Sequence, residues 1–119
     1  MQTAFVLGAI FMFLGVAVGA FGAHALKEKL AGDAGKNYQT GVLYHLIHGV
    51  GIVAVGAASG IQSSPLLNTA VWLFAAGIVL FSGSLYALSL SGIRKLGAVT
   101  PLGGLAFLAG WVLVAAAFI

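Results

Sequence analysis

Long apolar runs alternate with two short charged windows along this chain, and the alternation predicts its elements. The charged side chains are Lys27, Glu28, Lys29, Asp33 and Lys36 in one window and Arg94 and Lys95 in the other, so residues 1–26, 37–93 and 96–119 carry no formal charge. A helix of about 20 apolar residues crosses a hydrocarbon core of roughly 30 Å. The first and last runs each hold one such helix. The middle run is too long for one, and Gln62, Ser63, Ser64, Pro65 and Asn68 interrupt it near its centre. Four helices are therefore expected, over residues 2–26, 34–60, 67–90 and 100–119 of a single domain, residues 1–119. The fold class is all-α: a polytopic membrane protein with four transmembrane helices in an antiparallel bundle.

Local signals refine the connections. Asp33 has the chemistry of an N-cap for the second helix, and Thr100 followed by Pro101 reads as N-cap and first residue of the fourth. Pro65 lies in a short polar link that makes the second and third helices a tight hairpin. With four crossings, both basic connections fall on one side of the membrane, and the uncharged link and both termini fall on the other. The positive-inside rule places Lys27, Lys29, Lys36, Arg94 and Lys95 in the cytoplasm and both termini outside.

Composition narrows the classes further. Of 119 residues, 61% are hydrophobic and 6% charged, against about 25% charged in soluble domains. Four spans leave no room for a soluble domain, so the principal partner is the lipid bilayer. The formal net charge of +3 sits at the membrane surface, where it suits anionic lipid headgroups and gives no footprint for nucleic acid. The absence of cysteine excludes disulfides, thiolate metal sites and cysteine nucleophiles. Ala23, His24 and Ala25 imitate a signal-peptidase site, but the preceding apolar run is longer than a signal core and no Lys or Arg precedes it.

Lipid-embedded helices associate through close packing of small residues and scattered polar contacts. Ala4, Gly8, Gly15, Gly19 and Gly22 fall within about 60° of one another on the first helix, and a partner helix is expected against that stripe. The partner can belong to the same chain or to another copy in a homo-oligomer. Gly77 to Gly83 can also be laid over Ala9 to Gly15, a weak trace of a duplicated helix pair.

Polar side chains gather toward the expected cytoplasmic end. His24 closes the first helix, Tyr44, His45 and His48 lie on the second, Ser82, Ser84, Tyr86 and Ser89 end the third, and Thr100 opens the fourth beside Arg94 and Lys95. His45 and His48, three apart, share a face with Gly41. Three histidines could hold zinc with one open position, but no Asp or Glu within the spans is available to orient an imidazole. The histidines read better as polar contacts between helices. A Ser84 and His45 pair lacks both an orienting carboxylate and a Gly-x-Ser-x-Gly elbow. Proton- or sodium-coupled transport usually needs a carboxylate at membrane depth, and none is present. An anion or lipid-headgroup site is the more physical alternative, because the helix starting at Thr100 and Pro101 points N–H groups toward the end that carries Arg94 and Lys95.

Three segments carry a resemblance: GAFGAHAL from Gly19 to Leu26, TGVLYHLIHG from Thr40 to Gly49, and RKLGAVTPLGG from Arg94 to Gly104. They resemble the domain of unknown function 423 family, small membrane proteins similar to transmembrane protein 256 of animals. The resemblance covers nearly the whole chain. It implies a four-helix protein of the bacterial cytoplasmic membrane and no agreed activity. The expectation is thus a non-enzymatic binding or structural bundle, without cofactor, whose candidate site comprises His24, Tyr44, His45, His48, Ser84, Tyr86, Arg94, Lys95 and Thr100. A small channel or transporter is the alternative, and a three-histidine metal site stands third.

Overall fold

The breakers in the sequence set the ends of the helices. A computed structural model describes residues 2–119, which form α1 (Gln2–His24), α2 (Asp33–Ala58), α3 (Pro65–Gly77), α4 (Gly83–Ser91) and α5 (Thr100–Ala117). The Ser64 side chain accepts a hydrogen bond from the Leu66 N–H at 3.2 Å, with Pro65 opening α3. Gly92, at φ 74°, closes α4 in the left-handed conformation that glycine adopts without a Cβ penalty. Two expected caps differ. Gly32, at φ 67°, occupies the N-cap position of α2, and Asp33 lies inside the first turn, where its carboxylate complements the helix dipole. Val99 stands before α5, and the Thr100 hydroxyl bonds to Ser84 instead of capping.

A π-helical turn, Ile78–Ser82, joins α3 to α4, so that Pro65–Ser91 makes one continuous third crossing. The extra residue in such a turn rotates everything beyond it by about 100° relative to an unbroken α-helix. The regular helix α1 has no counterpart to this turn within the segment laid over it in sequence. A 3-10 turn, Arg94–Ala98, leads into α5. All four crossings are long and apolar enough to span a membrane.

The second and third crossings form the centre. Half of the α2 span is buried and 44% of the third, against 17% for α1 and for the fourth crossing. α1 flanks α2, and α5 flanks the third crossing. The molecule measures 46 × 26 × 17 Å, its long axis exceeding a hydrocarbon core of roughly 30 Å. Exposed apolar side chains such as Phe5, Phe13, Leu105 and Val112 cover the outer flanks, as lipid contact requires.

Glycines decide how closely the helices approach. The stripe on α1 meets α2 of the same chain: a Cβ at Gly8 would lie 2.5 Å from Val53, one at Gly15 2.7 Å from Leu46, and one at Gly19 3.3 Å from Val42. Reciprocally, Gly49 of α2 receives Met12 of α1. On the other side of the bundle phenylalanine rings fill glycine hollows, Phe107 at Gly77 and Phe74 at Gly110. This interlock gives helices in lipid the close dispersion contact that the hydrophobic effect cannot supply between them. The stripe is thereby filled from within the chain.

Candidate functional site

Buried polar side chains form a seam that stitches the crossings together. His45 sits midway along α2, about 18 Å from Asp33 at 1.5 Å per residue. Its Nε2 lies 2.8 Å from the Phe11 carbonyl on α1, and its Nδ1 lies 2.8 Å from the Tyr86 hydroxyl on α4. A carbonyl only accepts, so Nε2 carries the proton and donates; in the neutral ring Nδ1 then accepts from Tyr86. One imidazole thereby links three crossings.

His48, one turn further along, adopts the opposite tautomer. Trp111 of α5 donates its indole N–H to Nε2 at 3.0 Å, so Nδ1 carries the proton and donates to the Tyr44 carbonyl at 2.8 Å. Phe107 stacks on the ring at 3.6 Å between centroids, and Phe74 packs edge-on at 5.3 Å. Both histidines are buried.

Hydroxyls extend the seam. Ser82, fully buried in the π turn, donates to the Gly41 carbonyl of α2 at 2.7 Å. Ser84 donates to the Phe81 carbonyl at 2.9 Å and meets the Thr100 hydroxyl at 2.6 Å, tying α4 to the start of α5. Tyr38 donates to the Val18 carbonyl, joining α2 to α1. Among the described residues, no buried side-chain nitrogen or oxygen lacks a partner.

The nine candidate residues separate into four groups. His45 pairs with Tyr86, Ser84 pairs with Thr100, and His48 bonds to the backbone of Tyr44. His24, Arg94 and Lys95 are exposed. The two buried histidines lie near the middle of α2, and the cavity that His48 lines is bounded by residues such as Tyr44, Phe81, Phe107 and Trp111, with neither His24 nor Thr100 among them. A three-histidine metal site has no geometry here: the single lone pair of each buried ring already accepts a hydrogen bond, and His24 is exposed at the end of α1. Among the described residues no three His, Cys, Asp or Glu side chains come together as a ligand set.

Sequence reasoning passed over Trp111, Tyr38 and the Phe11 carbonyl. A tryptophan or tyrosine within an apolar span is a polar donor in disguise, and that was the available signal for the first two. Backbone acceptors leave no sequence signal.

A family described as "Protein of unknown function (DUF423)" matches residues 18–104. UPF0382 membrane protein YwdK of Bacillus subtilis is 47% identical over 121 aligned positions, covering 98% of this chain and 96% of that protein. UPF0382 membrane protein SH2409 of Staphylococcus haemolyticus is 45% identical over 114, covering 96% of this chain and 93% of its own length. No solved structure matches. The segments GAFGAHAL, TGVLYHLIHG and RKLGAVTPLGG lie within or at the edge of the matched region and hold His45, His48 and Thr100 of the seam, with the Gly41 and Tyr44 carbonyls. With four apolar crossings and full-length relatives named as membrane proteins, this chain belongs to the DUF423 (UPF0382) family of multi-pass membrane proteins.

Proposed function

We propose that the protein is a non-enzymatic bundle that acts by binding, and that its basic end faces the cytoplasm and recognises anionic lipid headgroups. The observation that carries this reading is a division of labour among polar groups. Those inside the bundle are bonded to one another or to backbone carbonyls, whereas Lys27, Lys29, Arg94 and Lys95 are exposed on the connections after α1 and before α5, and Lys36 is exposed in the first turn of α2. A general base or nucleophile needs a free lone pair directed at substrate, and His45 and His48 have theirs engaged. A pore along the glycine faces has no room, because those faces are filled by neighbouring side chains.

Exposed Lys and Arg at an anionic membrane surface each contribute about 1 kcal/mol. Native mass spectrometry of the detergent-released protein, titrated with phosphatidylglycerol and phosphatidylcholine, tests the reading. Phosphatidylglycerol should be retained preferentially, and the preference should vanish when the five basic residues are changed to Gln. Equal retention of both lipids by the unaltered protein refutes it.

A further inference from the structure

A groove of about 540 Å³ opens sideways from the bundle between α2 and α5. Tyr44, Phe81, Gly104, Phe107 and Trp111 line it, and Pro101 marks one end. The rings form a continuous wall, with Tyr44 and Phe81 at 4.7 Å between centroids and Phe81 and Phe107 at 5.5 Å. From Pro101 to Trp111 the groove follows α5 for about 15 Å at 1.5 Å per residue, which is about one leaflet of a core roughly 30 Å thick. Its dimensions suit a hydrocarbon chain lying along the membrane normal.

Charge identifies the end from which such a chain enters. Arg94 and Lys95 are exposed on the turn Arg94–Ala98, which runs through Val99 and Thr100 into Pro101. The bond between Thr100 and Ser84 fixes that approach to the third crossing. The third crossing, the turn Arg94–Ala98 and α5 contain no acidic side chain, so the entrance is basic on that side; Asp33, in the first turn of α2, is offset by Lys36 one turn later. We infer that the groove holds one acyl chain of an anionic phospholipid, with the phosphate against Arg94 and Lys95. The inference rests on the headgroup reading above and adds to it a defined seat for the chain.

Trp111 reports on the groove directly. The full chain with Trp72→Phe retains Trp111 as its only tryptophan, and Trp72 is half-exposed on α3. Reconstituted into phosphatidylcholine vesicles, it should be quenched roughly two- to fivefold more effectively by chain-brominated phosphatidylglycerol than by chain-brominated phosphatidylcholine at equal low mole fraction. The preference should disappear with Arg94→Gln plus Lys95→Gln. It should also disappear with Gly104→Leu, whose Cβ meets nothing nearer than Phe81 at 3.9 Å and whose side chain fills the groove. Leu108→Trp, in the W72F/W111F background, supplies a second reporter at an exposed position of the same wall if Gly104→Leu fails to fold; it should show the same lipid preference. Equal quenching by the two lipids at both reporters overturns the inference. A preference that survives Gly104→Leu but falls with the charge changes overturns the chain seat and leaves headgroup recognition standing. A preference that survives the charge changes overturns the placement of the phosphate against Arg94 and Lys95, and the five-residue variant above then decides the headgroup reading.

Discussion

Tyr86→Phe isolates one bond of the seam. The substitution removes a hydroxyl and leaves the ring in place, against Tyr38 at 5.2 Å between centroids and against Gly41. What disappears is the O–H donated to His45 Nδ1 at 2.8 Å. Hydrogen bonds between helices in membranes average about 0.6 kcal/mol and reach about 1.7. His45 is 4% exposed and is held at its other nitrogen by the Phe11 carbonyl, so the ring cannot turn toward a substitute donor. The expected cost therefore lies in the upper part of that range, about 1 to 1.7 kcal/mol. With His45→Ala already present, the Tyr86 hydroxyl has lost its acceptor, and Tyr86→Phe should cost close to nothing. The coupling energy of the double-mutant cycle then approximates the bond itself. Equilibrium unfolding in mixed micelles of mild detergent and dodecyl sulfate, followed by the fluorescence of Trp72 and Trp111, supplies the four stabilities. Additive effects, within about 0.3 kcal/mol, would refute the assignment of His45 as a clamp.

Further outcomes follow from the same geometry. Gly103→Ala should destabilise strongly, because its Cβ would strike the backbone of Phe81, whereas Gly97→Ala, with its nearest neighbour Leu88 at 3.9 Å, should leave unfolding in mixed micelles nearly unchanged. Because the chain contains no cysteine, Gln62→Cys and Lys95→Cys can each be labelled with an impermeant maleimide in oriented cells. Reaction of the first from outside and of the second only after permeabilisation is expected, and the reverse pattern contradicts the proposed orientation. Elemental analysis of the purified protein should find no stoichiometric transition metal; one equivalent lost with His24→Ala would contradict the placement of that residue apart from the buried pair.

The crossings were legible because their cause is local. Charge at Lys27 to Lys36 and at Arg94 and Lys95, with Pro65 between, punctuates the chain whatever the helices later touch. The stripe from Ala4 to Gly22 was legible for the same reason, since one helix's periodicity fixes its own face. Its partner was not, because choosing α2 over another copy depends on how Val53, Leu46 and Val42 complement the glycines. The histidines show the limit most clearly. Their spacing puts both on one face of α2, yet His45 turns to α1 and α4 while His48 turns to α5. Charge marks one end of the bundle, and it says nothing of how far along a helix a neutral ring such as that of His45 lies. The π turn Ile78–Ser82 has no sequence signal, because the run Ile78, Val79, Leu80, Phe81 is as suitable for a regular helix.

If the buried polar groups hold helices together and perform no chemistry, the imidazole protons of His45 and His48 have fixed and different positions. Solid-state NMR of the ¹⁵N-histidine-labelled protein in bilayers, assigned with His24→Gln, reads them. The expected spectrum shows His45 protonated at Nε2 and His48 at Nδ1, each with its other nitrogen accepting a hydrogen bond, and neither moves when zinc is added. The same tautomer at both positions, a nitrogen without a partner, or a zinc-dependent shift would contradict the account.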